Sequence, residues 1–529
     1  MKINIPVTDQ PRVVIIGCGF AGLRLAKNLR HANLQVVLVD RNNYHNFQPL
    51  LYQVATGGLE ADSIAYPIRK IFTGQQNFFF RMAEVTAIHP EINQVQTTIG
   101  DIRYDYLVIS SGSATNFFGN KQIEENAMQI KSIPSALNLR SLIFQNFEKA
   151  LLMTREDQRD PLMDIVVVGG GPTGVELSGT LAEMKKYVLP KDYPELDLKM
   201  MDIYLMEAGP TLLNGMSKES QEKALNYLKD MGVHVLLSSP VESFENNVIK
   251  YGGGKTINAS TMIWAAGVFG ANIPGLNEPA VARNKRVNVN TWNQVIGYSN
   301  IFAIGDLANM ETKDFPKGHP MVAPVAIQQA ELLAENLPKI MAGQTPREFV
   351  YKNKGVMATV GRNRAVVDLP NFKFGGFFAW LVWMFVHLMT LVGFRNKLVT
   401  FVGWVWNYFA FDTALRLIIR PYLKETRDGK QQQPSPPQPP AAQGGNPAKP
   451  EAPQPAIPTV QNDQKQTAEV SQPAVATVKP ELTAAPVNAT ATTVQNTSGA
   501  NSPEKVTTAT TGSFNQPAPN AVKIPPGTP

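Results

Sequence analysis

Hydrophobic positions along this chain cluster into short β-branched runs, and several of these runs end in a turn of small residues. From Arg12 the chain reads VVIIG-CGFAG-LRLAKNLR and then LQVVLVD. Consecutive apolar positions read as a strand buried on both faces, and the periodic segment that follows reads as a helix. The pattern predicts strand, glycine turn, helix and second strand, the opening of a parallel α/β sheet. It recurs from Asp164 as DIVVVGGGPTGVELSGTLAEM, followed by a strand in MDIYLMEAGP, with the polar stretch from Lys185 to Lys199 reading as an insertion. Three further apolar runs close in small residues: YDYLVISSGS at Ser111 and Gly112, TMIWAAGV at Ala266 and Gly267, and NIFAIGDLA at Gly305 and Asp306.

The turns carry the chemistry. Gly17 allows a tight turn, Gly19 lets a pyrophosphate approach the backbone at a helix N-terminus, and Gly22 lets helix and strand pack closely. Asp40 ends the second strand 18 residues after Gly22, placed to accept hydrogen bonds from the hydroxyls of an adenosine ribose. Gly169, Gly171 and Gly174 repeat the arrangement, and Glu207 takes the place of Asp40. An acid there favours a free ribose 2′-hydroxyl over a 2′-phosphate, so the second site is expected to prefer NADH to NADPH. Two such units imply two dinucleotides meeting at one active site. Asp306, directly after a strand, is placed to hydrogen-bond the ribityl chain of a flavin.

Near the end the pattern changes character. Gly375 to Arg420 holds two long apolar runs, Phe377 to Phe394 and Leu398 to Phe411, with Trp380, Trp383, Trp404 and Trp406 and with Arg395, Lys397, Arg416 and Arg420 alongside. Such aromatic and basic residues suit a membrane interface. The first run has 18 residues, just enough to cross a bilayer; the second is too short, which favours two helices lying in one leaflet. A core helix or a dimer interface is the competing reading. His387, inside the first run, is expected to be a packed or interface-facing histidine. From Gln431 to Pro529 the chain is rich in Pro, Ala, Thr and Gln and poor in large apolar groups, so it is expected to be disordered.

Composition narrows the classes. Setting that tail aside leaves a body long enough for ample cores. The chain of 529 residues has one cysteine, Cys18, which excludes an intrachain disulfide and a cysteine-rich metal cluster. A formal net charge of +6 without a long basic block gives nucleic-acid binding little support, and no metal site is expected. The first residues show neither an apolar signal run nor an Arg-rich transit pattern.

Together these segments resemble the pyridine nucleotide-disulphide oxidoreductase superfamily over about residues 11 to 330. Disulfide-using members carry two cysteines just after the first glycine helix, where this chain reads RNNYHNFQPLLYQVATGGLE. The segment from Asn43 to Gly57 and VGGGPTGVELSG are similar to type II NADH dehydrogenases. The resemblance implies an α/β fold of two Rossmann-like dinucleotide-binding domains, one inserted in the other, with a C-terminal helical membrane-docking segment. It implies FAD at Gly17, Gly19, Gly22, Asp40, Ser111, Gly112, Gly305 and Asp306, and NADH at Gly169, Gly171, Gly174, Glu207 and Gly267. Glu176 matches the family glutamate beside the nicotinamide and flavin rings. Gln328 matches the final glutamine of a quinone-side motif in which Pro324 replaces an earlier glutamine.

The implied division is FAD-binding at 11–125 and 286–340, NADH-binding at 160–285, a C-terminal domain with membrane-associating helices at 341–425 and a tail at 429–529. The implied activity is NADH oxidation by FAD with two-electron, non-electrogenic transfer to a membrane quinone. The implied location is the cytoplasmic face of a bacterial inner membrane, docked on the bilayer surface, with a homodimer left open. The alternatives are a flavin-linked reductase for a protein acceptor such as a ferredoxin, and an NADH-sensing flavoprotein scaffold.

Overall fold

The computed structural model describes residues 3–410 and 415–423, so the expectation of a disordered tail lies outside the described residues. Two five-stranded parallel sheets organise the chain. The first has strand order Ile301–Ala303, Tyr106–Ile109, Arg12–Ile16, Gln35–Asp40, Phe78–Met82. Its alternating residues feed two cores. Val13, Ile15, Val36 and Leu38 face the helices Phe20–Asn28 and Ala323–Met341. Val14, Ile16, Val37 and Val39 face the opposite layer, which includes the antiparallel strands Val85–His89, Gln94–Thr97 and Gly100–Arg103. Burial on both faces explains why these strands read as unbroken apolar runs.

The second sheet has the order Met128–Gln129, Thr261–Trp264, Ile165–Val168, Ile203–Met206, His234–Leu236, again all parallel. All its strands lie in sequence between Tyr106–Ile109 and Ile301–Ala303 of the first sheet, so one unit is inserted in the other. Its edge strand Met128–Gln129 lies upstream of residue 160, where the sequence pattern alone begins this unit. Two short connections, Ser113–Thr115 and Val268–Gly270, pair antiparallel where the chain passes between the units. The segment read as an insertion starts by prolonging the glycine helix Pro172–Glu183 through a π turn, Met184–Val188, and a short helix, Leu189–Asp192.

A three-stranded antiparallel sheet, Val356–Thr359, Ala365–Asp368 and Lys373–Gly375, leads into two helices, Phe377–Thr390 and Phe394–Ala410. The apolar run Phe377 to Phe394 is therefore not one helix. It breaks around Gly393, whose φ of 86° suits glycine and whose missing side chain makes room for the Tyr66 ring. Among the described residues no helix is long and apolar enough to cross a membrane, which corrects the reading in which the first run spans.

The first helix buries Ala379 and Trp383, whereas the second turns polar side chains inward. Asn396, Thr400 and Trp404 point inward at helical spacing, with Asn396 Nδ2 donating to the carbonyls of Asp62 and Ala65 and Trp404 Nε1 donating to Gln53 Oε1 at 2.8 Å. The outer faces carry Phe385, Trp406 and Phe409 at 63%, 64% and 78% exposure. After the second helix, the stretch 415–423 returns to the body, with Arg416 paired to Asp192 at 2.9 Å and the Tyr422 N–H donating to Gln145 Oε1.

Candidate functional site

The two glycine turns repeat one construction. A side chain on Gly22 would bring its Cβ to 1.9 Å from the Gly17 carbonyl oxygen, and one on Gly174 would come to 1.9 Å from that of Gly169. Gly17 and Gly169 both have positive φ, 94° and 116°, and pack against the end of a neighbouring strand. The acids brace these loops. Asp40 Oδ2 accepts the Cys18 N–H at 2.6 Å, and Glu207 Oε2 accepts the Gly170 N–H at 2.6 Å. Their second oxygens accept from Asn42 and Gly209. Burial raises the Asp40 carboxyl, and the hydrogen bonds from Asn42 and Cys18 oppose that rise. The Cys18 thiol is pushed well up by burial, which keeps it protonated and unreactive.

A single cavity of about 1050 Å³ runs between the units. It collects Gly17, Gly19, Asp40, Ser111, Gly112, Gly305 and Asp306 from the first unit, and Glu176 and Gly267 from the second. Gly22 lies beneath the loop rather than on the wall. Gly169, Gly171, Gly174 and Glu207 build the second loop without lining this cavity, while the adjacent Pro172 and Thr173 do line it. A Cβ on Gly19 would meet nothing within 4 Å, so the open side of this glycine faces the space a pyrophosphate requires. The volume of the cavity, the open face of Gly19 and the acid at Asp40 fit an FAD.

Glu176 comes from the second glycine helix and is buried on the cavity wall. Gly179, one turn further along that helix, lets the strand Val356–Thr359 approach: an added Cβ would come to 2.7 Å from the Gly361 nitrogen. The Thr359 N–H then reaches Glu176 Oε1 at 3.4 Å. Burial lifts the Glu176 carboxyl from its ordinary value to about 8, against the hydrogen bond from the Thr359 N–H. At neutral pH this group is mostly a neutral acid.

On the same cavity wall, His387 Nδ1 lies 2.7 Å from the Trp383 carbonyl oxygen. A carbonyl only accepts, so Nδ1 carries the proton and Nε2 is left as an acceptor. Its ring stacks on Trp383 at 3.9 Å and meets Phe47 edge-on, and burial lowers its pKa to about 4. His387 is packed, as expected, and it also lines the cavity.

The helix Ala323–Met341 begins at the cavity with Pro324 in its first turn, where its missing N–H costs nothing. Gln328 is not on the cavity wall. Its amide brackets the Lys352 backbone, donating to the carbonyl at 3.0 Å and accepting from the N–H at 2.9 Å. Its neighbour Gln329, 0% exposed, accepts the Gly305 N–H at 2.8 Å and so holds the turn beside Asp306. Sequence reasoning passed over Gln329, although positions 325, 326, 329, 330 and 333 form the inward stripe of that helix. It also passed over Tyr52, buried on the cavity wall with its phenol raised chiefly by burial and next by Glu176, and over Lys131 and Ser113.

Residues 11–330 match the family described as pyridine nucleotide-disulphide oxidoreductase, and residues 353–410 match the NDH2 C-terminal domain. The chain is 35% identical over 422 residues to the type II NADH:quinone oxidoreductase Ndh of Mycobacterium tuberculosis, covering 76% of this chain and 90% of that protein. It is 29% identical over 365 residues to the type II NADH:quinone oxidoreductase of Staphylococcus aureus, covering 68% and 89%. The structure of NDH2 from Plasmodium falciparum in complex with NADH shares the fold, with a TM-score of 0.71 at 21% identity over 78% of this chain and 100% of that one. Two glycine units on one cavity, closed by a matching C-terminal domain, place this chain in the type II NADH:quinone oxidoreductase family.

Proposed function

We propose that the protein oxidises NADH and reduces a membrane quinone by two electrons, using FAD as its resident cofactor. The observation that carries this reading is the single cavity walled by both glycine units and by His387 of the first C-terminal helix. FAD held by these residues would supply the redox chemistry, a two-electron relay between NADH and the quinone.

The protein's part is binding, orientation and charge. Gly17, Gly19, Gly22 and Asp40 hold the adenosine and pyrophosphate of FAD, with Ser111, Gly112, Gly305 and Asp306 on the remainder. Gly169, Gly171, Gly174 and Glu207 hold NADH, and Gly267 keeps the backbone low where the nicotinamide enters. Glu176 presents a neutral carboxyl where the two units meet, orienting the nicotinamide and keeping a proton at the site at neutral pH. Gln328 acts indirectly by bracing Lys352, while Gln329 fixes the Gly305 turn. The two sheets support reading FAD-binding at 11–125 and 286–340 around an NADH-binding insert, with the insert extended upstream to Met128.

The outward apolar faces of the two C-terminal helices lie on the bilayer, at the cytoplasmic face of a bacterial inner membrane, and bring the quinone to the cavity from that side. A second copy of the chain is the competing cover for part of this surface. Flotation with liposomes, alongside the native mass in detergent, decides between them: a protein that stays with lipid supports docking, and a dimer that ignores lipid overturns it. For the activity, purified protein is expected to contain FAD and to oxidise NADH only when a quinone is supplied. Turnover restricted to a ferredoxin, or NADH binding without turnover, would overturn it.

A further inference from the structure

Lys131 belongs to none of the motifs above. It lies between the edge strand Met128–Gln129 and the capping box of Ser132 and Ser135 that starts the helix Ile133–Ala150. Its Nζ donates to Ser113 Oγ at 2.8 Å, and Ser113 Oγ donates in turn to Asp306 Oδ2 at 2.7 Å. The directions are fixed, because the carboxylate only accepts, the ammonium only donates and the hydroxyl has one proton to give. All three residues line the cavity. The chain of bonds joins three separate pieces of the fold: the inserted unit, the strand that leads into it, and the turn after the edge strand of the first sheet.

An interdomain clasp alone does not require a cation. A neutral amide or hydroxyl would span the same contact, whereas withdrawing an ammonium from water carries a cost unless charge nearby offsets it. Burial does weigh on Lys131, pushing its pKa down against the pull of Asp306. An ammonium has three donors, and among the described residues Ser113 takes one of them. The others remain for an acceptor in the cavity. Lys131 also stands beside the paired connections Ser113–Thr115 and Val268–Gly270, where the two units meet. The Gly19 turn, by contrast, offers backbone N–H groups for the pyrophosphate.

We propose that Lys131, fixed through Ser113 and Asp306, supplies the positive charge that stabilises the reduced flavin. This rests on the reading that FAD occupies the cavity. Two electrons and one proton from NADH leave one net negative charge on the ring system, and a fixed ammonium in a low-dielectric wall favours that form over the neutral oxidised one. Ser113 is the positioning residue, since it holds the ammonium without carrying charge.

The test uses holoprotein of Lys131→Met, Lys131→Arg and Ser113→Ala beside the unaltered chain. FAD content is measured first, then the flavin midpoint potential and the affinity for sulfite, which adds to the flavin and leaves it negatively charged. Lys131→Met is expected to weaken sulfite binding by about tenfold and to lower the midpoint potential by about 30 mV, the equivalent for a two-electron couple. Lys131→Arg should restore most of both, and Ser113→Ala should shift both in the same direction by less. A Lys131→Met protein that retains FAD with unchanged potential and sulfite affinity overturns the proposal, as does one that only releases FAD faster, which marks a clasp. Should Lys131→Met fail to retain flavin, the decision passes to Ser113→Ala, where unchanged potential and sulfite affinity overturn the assignment. An unaltered chain that binds no FAD would instead sink the functional reading beneath it.

Discussion

The two glycine units share a turn, a helix and a bracing acid, yet they meet the cavity differently. The first lines it with Gly17, Gly19 and Asp40 themselves, whereas the second keeps its loop glycines and Glu207 off the wall and reaches it through Lys131, Pro172, Thr173, Glu176 and the turn at Gly267, among others. The shared part is local: a 1.9 Å clearance under Gly22 and Gly174, and an acid accepting a loop N–H at 2.6 Å in both. The difference comes from what the chain places around each loop. On the proposed reading both constructions hold a dinucleotide, and the surroundings decide whether it is held for good or admitted and released.

The largest expected effects come from filling those clearances. Forcing a methyl group into a packed site costs about 1–3 kcal/mol or more, and a carbonyl oxygen leaves little room to relax. Gly22→Ala is expected to yield protein without flavin and without activity. Gly174→Ala, with the same collision in the other unit, should keep its flavin and raise the KM for NADH by about tenfold to a hundredfold. Flavin content and steady-state kinetics on the pair check this, and equal loss of flavin in both would erase the proposed difference between the units.

A smaller effect is expected from the acids. Glu207→Gln removes the charge that disfavours a 2′-phosphate, so the preference for NADH over NADPH should fall by about tenfold, a loss of about 1.4 kcal/mol. Asp40→Asn should leave that ratio unchanged and instead speed the release of FAD. Competition kinetics with both nucleotides measure the first, and flavin release on dilution the second.

Glu176 bears on the pH dependence of stability. Its folded pKa of about 8 stands above the ordinary 4.5, so between those values the folded protein keeps a proton that the unfolded chain has released. That contribution is complete below pH 4.5 and is lost as the pH rises through 8, at up to about 1.4 kcal/mol per unit of pKa difference. Glu176→Gln should therefore melt like the unaltered chain near pH 4.5 and at a higher temperature above pH 8. Melting curves that stay parallel across this range would show that the carboxyl is not held neutral. The smallest expected effect is that of ending the chain after residue 428, which leaves the described body whole and should leave NADH oxidation unchanged.

What was legible in the sequence was what neighbouring residues determine. VVIIGCGFAG and VVVGGGPTG announce a strand and a turn because buried β-branched runs and clearance-limited glycines are local demands. The Lys131–Ser113–Asp306 chain was not legible, since its bonds join positions 18 and 193 residues apart and nothing local marks any of the three as partners. Gln328 shows a subtler limit. The motif located the right turn of helix, but side-chain direction follows helical phase, and packing of Ala326, Gln329, Ala330 and Leu333 turns Gln328 toward Lys352. The apolar run from Phe377 hid its break for a related reason: the turn between the helices sets Gly393 against the Tyr66 ring, a contact made by a distant segment.

The central claim is that one cavity couples NADH oxidation to quinone reduction through a flavin. Anaerobic stopped flow tests it most directly. Mixing the flavin-containing protein with NADH should bleach the flavin absorption, and a second mix with a soluble quinone should restore it within the turnover time. A flavin that NADH leaves oxidised, or a reduced protein that quinone does not reoxidise, would contradict the account.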